Sequence, residues 1–130
     1  MASVASEARL AVSADEAWAL LRNPGAAAQA FPGVLTDSRL EGDVRTVRFA
    51  SGFEVRERII DIDEARRRIA YSVIEGRFSH HSASMQIVPD GPAQCRFLWF
   101  SDFLPNDAEP LVRGLVEQGT AAFKRALEGG

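Results

Sequence analysis

Glu57, Tyr71 and His81 are the residues whose types and placement could do proton chemistry together. Over 53–62, Phe53, Val55 and Ile59 share one face of an extended segment while Glu54, Arg56 and Arg58 share the other, which sets Glu57 among the apolar residues. Tyr71 has the parity of Ile69 and Val73, and His81 that of Ala83, Met85 and Ile87. Burial disfavours the charged form of a carboxylate and a nearby imidazolium restores it, so such a pair can be poised for acid–base catalysis. The competing reading is structural. In it Glu57 pairs with an arginine or with Tyr71, holding strands in register or orienting a ligand, and His81 is simply hydrogen-bonded. We take the structural reading for both and keep Glu57, His81 and Tyr71 as the candidate catalytic set. A metal site is not expected, because His80 and His81 are strand neighbours whose rings point to opposite faces. No other cofactor is expected either. Cys95 is the single cysteine, in an apolar segment that suits a small buried side chain better than a nucleophile.

The chain that must position these groups has 130 residues, enough for one domain (1–130) with a sizeable core. It is 46% hydrophobic and 25% charged with a net charge of −3, which gives no general attraction to nucleic acid. Its basic run, Arg66, Arg67 and Arg68, sits beside Asp63 and Glu64 and reads as a solvated hairpin end. No apolar stretch reaches the ~18 residues of a membrane span, and the first nine residues lack the basic start and apolar core of a targeting segment. A cytoplasmic location is expected.

Val4, Ser6, Ala8, Leu10 and Val12 alternate with Glu7 and Arg9, as in a half-buried strand. Ser13 with Glu16 forms a capping box for a helix running to about Arg22, and Asn23, Pro24 and Gly25 stop it. A second short helix is expected over 26–31, ended by Pro32 and Gly33. Turn residues then divide the chain into six strands, 34–40, 44–50, 53–62, 68–75, 80–88 and 94–103, with no helical crossover between them. That pattern implies an antiparallel meander. A phase slip at Ile59 and Ile60 suggests a bulge. The last element is a helix over 107–128, with Asn106 and Glu109 placed to cap it and an apolar stripe of Leu111, Leu115, Ala122, Phe123 and Ala126. Gly114 and Gly119 suggest close approach to the sheet, and Asp102 is placed to cap the loop before Pro105.

With this order of elements, the stretches Pro32-Gly33-Val34, Val55-Arg56-Glu57-Arg58-Ile59, Arg68-Ile69-Ala70-Tyr71, Ser101-Asp102-Phe103-Leu104-Pro105 and Phe123-Lys124-Arg125-Ala126-Leu127-Glu128 resemble the START-like (SRPBCC) superfamily, especially its bacterial polyketide cyclase/dehydrase-like members. The resemblance implies an α+β helix-grip fold. A curved seven-stranded antiparallel sheet would wrap a long C-terminal helix, with two short helices after the first strand and an apolar cavity between sheet and helix. Strand alternation assigns Val55, Glu57, Tyr71, His81, Met85, Phe97 and Trp99 to that cavity, joined by Leu115 and Gly119 of the helix. Two functions fit. One is non-catalytic binding of a small hydrophobic or aromatic, lipid- or polyketide-like molecule; the other is a cyclase or dehydratase using Glu57 or His81 as acid–base. Leu98 and Phe100, out of phase with the lining residues, are expected on the convex face, where they make a homodimer possible.

Overall fold

The computed structural model describes residues 2–74, 76 and 78–129. β1 (Ala2–Leu10) leads through α1 (Ala14–Leu21), a 3₁₀ turn at Pro24–Ala26 and the single-turn α2 (Ala27–Ala30) into the meander. Its strands are β2 (Leu35–Glu41), β3 (Val44–Phe49), β4 (Glu54–Asp63), β5 (Arg68–Val73), β6 (His80–Pro89) and β7 (Cys95–Leu104). A 3₁₀ turn at Asn106–Ala108 opens onto α3 (Glu109–Glu128). The sheet order is β1-β7-β6-β5-β4-β3-β2 with every pairing antiparallel, so the helical pair carries the chain from one sheet edge to the other. The architecture is the expected one. The expected turn at Glu75, Gly76 and Arg77 falls in part outside the described residues. Among the described residues no helix is long and apolar enough to cross a membrane.

Local chemistry explains the element ends. Ser13 Oγ accepts from the Glu16 amide at 3.2 Å, which satisfies one of the free donors in the first turn of α1. The expected cap on α3 is different: its N-cap is Ala108, with no side-chain bond, and Asn106 lies within the preceding 3₁₀ turn. Glu109 instead pairs with Arg113 one turn on. Asp102, expected to cap the loop before Pro105, accepts from Ser3 Oγ at 2.5 Å and ties β7 to β1.

The β4–β5 register shifts between Ile59 and Asp61, so Ile60 is an extra residue and is 60% exposed. On the N-terminal side of this bulge the inward parity of β4 is Val55, Glu57 and Ile59. The basic run closes the β4–β5 hairpin, where Arg66 pairs with Asp63 and Arg67 with Asp15.

The apolar stripe of α3 is Val112, Val116, Gly119, Ala122 and Phe123, shifted from the expected one. Leu111 is 37% exposed and faces the cavity rather than the buried core, and a Cβ at Gly114 would meet nothing within 4 Å, so Gly114 does not serve close approach. Gly119 does serve it, because a Cβ there would lie 2.5 Å from Trp99 Cζ3. The helix rests mainly on β1, with smaller contacts to β7 and α2. Fully buried Phe97, Phe103 and Phe123 fill the floor on that side. On the convex face Phe100 is 45% exposed and Leu98 half-buried.

Candidate functional site

The helix rests on one side of the sheet, and the concavity between it and the inner faces of β3 to β7 stays open as a cavity of about 750 Å³. Val47, Val55, Met85 and Leu115 supply apolar wall, and Phe31 of the α2 turn stands beside Trp99, ring centroids 5.6 Å apart. Phe49 and the half-exposed Phe53, stacked at 4.6 Å, belong to the wall at the β3–β4 turn. Of the residues expected on this wall, Val55, Glu57, Tyr71, His81, Met85, Trp99, Leu115 and Gly119 line it. Phe97 does not. It has the inward parity, but its ring is sealed beneath Phe123 and Trp99, at 4.6 and 6.1 Å, and is fully buried.

Register places the polar groups. Arg45 of β3 is the direct partner of Glu57 in β4, and Glu57 in turn faces Val73 of β5. Arg45 donates through Nε at 2.8 Å to Glu57 Oε1, with Nη2 2.7 Å from the same oxygen, and both residues are buried, 7% and 8% exposed. The guanidinium also lies 5.1 Å from the centre of the Tyr71 ring, within cation–π range. Glu57 is therefore an ion-paired residue, and the catalytic role considered for it starts from a carboxylate already engaged.

The next row inward runs Ile59, Tyr71, Ala83, Ser101 across β4 to β7. Ala83 is small, and Tyr71 reaches across β6 to Trp99 of β7, whose Nε1 donates to the Tyr71 hydroxyl at 3.1 Å. Burial, reinforced by the Glu57 charge, pushes the Tyr71 hydroxyl well above its ordinary pKa, so it stays protonated.

His81 is fixed by backbone. The Val73 amide donates to its Nδ1 at 3.1 Å, so Nδ1 carries a lone pair and the neutral ring bears its hydrogen on Nε2. That nitrogen lies 3.3 Å from Ser101 Oγ and donates to it. Burial, with the neighbouring His80 adding to it, depresses the imidazole to about pKa 4, consistent with a ring that has no room for a second proton. His80 points away into solvent. Among the described residues no group of three or more His, Cys, Asp or Glu could hold a metal ion. Cys95 is fully buried, and burial raises its thiol.

Two members of the polar set, Arg45 and Ser101, were not singled out from the sequence. Arg45 shares the parity of Val47 and Phe49, and Ser101 that of Phe97 and Trp99, so alternation within each strand marks both as inward.

A family profile described as polyketide cyclase / dehydrase and lipid transport matches residues 1–128. No curated protein matches the chain. Among solved structures, an uncharacterized protein from Bacillus thuringiensis is similar at 19% identity with a TM-score of 0.89, over 97% of this chain and 98% of its own. The protein XoxI from Bacillus cereus is also 19% identical, with a TM-score of 0.88 over 98% and 96%. Norcoclaurine synthase from Thalictrum flavum, solved in complex with dopamine and hydroxybenzaldehyde, is 22% identical with a TM-score of 0.77 over 95% and 84%.

Proposed function

The chain belongs to the polyketide cyclase/dehydrase and lipid transport family, and from that premise we propose that it binds a small hydrophobic or aromatic molecule in the space between sheet and α3. The observation that carries this reading is the cavity itself. A space of about 750 Å³ walled mostly by apolar and aromatic side chains, with a few fixed polar groups, has the size and make-up of a small-molecule site. Burial of apolar ligand surface would provide the affinity, at roughly 25 cal/mol per Å² before the costs of association.

Cyclase or dehydratase chemistry with Glu57 or His81 as the base has less support. A base needs a free lone pair directed at the substrate. His81 has its Nδ1 lone pair committed to the Val73 amide and a hydrogen on Nε2, so its ring offers no free lone pair, and Glu57 is already the buried ion-pair partner of Arg45.

Titration with Nile red, a neutral apolar dye, tests the proposal. Saturable binding at one dye per chain is expected, weakened about tenfold by Leu115→Trp, which puts an indole into the cavity while circular dichroism stays native. Absence of saturable binding, or full binding by the folded Leu115→Trp protein, refutes the proposal. Native mass spectrometry of protein purified from its own host should then reveal the resident molecule.

A further inference from the structure

We infer that the polar end of this cavity selects a neutral ligand bearing a carbonyl oxygen, a ketone or quinone, over both an unfunctionalised hydrocarbon and a carboxylate. The inference rests on the binding function proposed above and names the class of ligand.

Among the described residues, the hydrogen-bond partner of the Tyr71 hydroxyl is Trp99 Nε1 and that of the Ser101 hydroxyl is His81 Nε2. An indole N–H can only donate, so Tyr71 Oη is the acceptor there and keeps its own hydrogen to give. Because the Val73 amide occupies Nδ1, Nε2 carries the hydrogen and donates to Ser101 Oγ, which again leaves the hydroxyl hydrogen to give. Both side chains belong to the cavity wall. Trp99 and Ser101 are successive inward residues of β7, and each takes part in one of the two hydroxyl pairs. A wall hydroxyl whose oxygen already accepts a hydrogen bond and whose hydrogen is left to give suits an incoming atom that has lone pairs and brings no hydrogen of its own. A carbonyl oxygen is that atom.

Charge excludes the anionic alternative. The charged residues of the described wall are Arg45, Glu54 and Glu57, and Arg45 is committed to Glu57 at 2.7 Å. A buried carboxylate would meet Glu57 without an uncommitted cation to compensate its lost hydration.

The test uses three probes with one skeleton, 2-acetylnaphthalene, 2-ethylnaphthalene and 2-naphthoate, titrated calorimetrically at pH 7 into the wild type, Tyr71→Phe and Ser101→Ala. Hydrogen bonds of ordinary strength predict that the ketone binds roughly tenfold more tightly than the ethyl compound, with each variant lowering that ratio about threefold. Naphthoate should bind more weakly than the ketone. The infrared carbonyl stretch of bound 2-acetylnaphthalene should lie below its position in hexane and move back toward it in both variants, a readout that a merely structural role for either hydroxyl would not move. Equal binding of the ethyl compound and the ketone, tighter binding of naphthoate, or an unaltered ratio and stretch in both folded variants overturns the inference and leaves the binding function standing. Nile red binding without ketone binding overturns the inference alone, and failure of both removes the binding function with it.

Discussion

Replacing Glu57 by Gln should cost the fold about 3 kcal/mol, although the change is isosteric. Arg45 and Glu57 are 7% and 8% exposed, and both guanidinium contacts, at 2.8 and 2.7 Å, go to the same carboxylate oxygen. Removing one charge of a buried pair leaves the other uncompensated, which typically costs about 3 to 5 kcal/mol. The lower end applies because the pair lines a cavity of about 750 Å³ that water can enter, and because the glutamine carbonyl can still accept one bond from Arg45. With a urea m-value of about 1.5 kcal/mol/M, the unfolding midpoint should fall by about 2 M. Arg45→Met should fall by a similar amount, since it strands Glu57 instead. The double variant Arg45→Met/Glu57→Leu should recover most of the loss, because it removes both desolvation costs together. A midpoint shift below about 0.5 M in Glu57→Gln with an unchanged m-value, or strictly additive losses in the double variant, would refute a coupled buried pair. The sequence alone allowed the opposite outcome: an unpaired Glu57 would tolerate glutamine or gain by it.

Acid should destabilise the protein in a window that His81 sets. Its folded pKa of about 4 lies below the ordinary 6.5, so the unfolded chain binds the extra proton. The stabilising contribution is complete above about pH 6.5 and is lost as pH falls toward 4, by at most about 3 kcal/mol. His81→Asn, whose side-chain oxygen can still accept from the Val73 amide, should flatten urea midpoints between pH 6.5 and 4.5; parallel curves for the two proteins would contradict the assignment. Gly119→Ala gains up to about 1 kcal/mol of helix propensity but puts a methyl 2.5 Å from Trp99 Cζ3. The ring should therefore swing into the cavity, leaving stability within about 1 kcal/mol of wild type while Nile red affinity falls about tenfold; unchanged affinity and tryptophan fluorescence would count against the clash. Ser13→Ala should lower stability by about 1 kcal/mol at every pH through loss of the α1 cap, measured by the same denaturation.

Much of this molecule is local and therefore readable in the chain. Alternation of side chains along a strand placed Val55, Glu57, Tyr71, His81, Met85 and Trp99 on the inner wall, because a period of two has only two phases and apolar residues mark the buried one. The bulge at Ile60 left its trace as a break in that phase, and the α1 cap as a serine three residues before a glutamate. What alternation cannot give is the third dimension. Phe97 and Trp99 have the same phase, yet Phe123 of the far helix seals one ring into the core, while Trp99 lines the open space beside Gly119. Arg45 meets Glu57 only once β3 and β4 pair in one register, and that meeting turns a candidate base into half of an ion pair. The protonation state of His81 is decided by a backbone amide eight residues away, and its hydrogen by Ser101 twenty residues on. The sequence by itself determined which faces are apolar and where the chain turns, since both follow from short-range sterics and solvation. Which polar groups are free to act depends on partners that folding brings together across the sheet, and that only the tertiary structure decided.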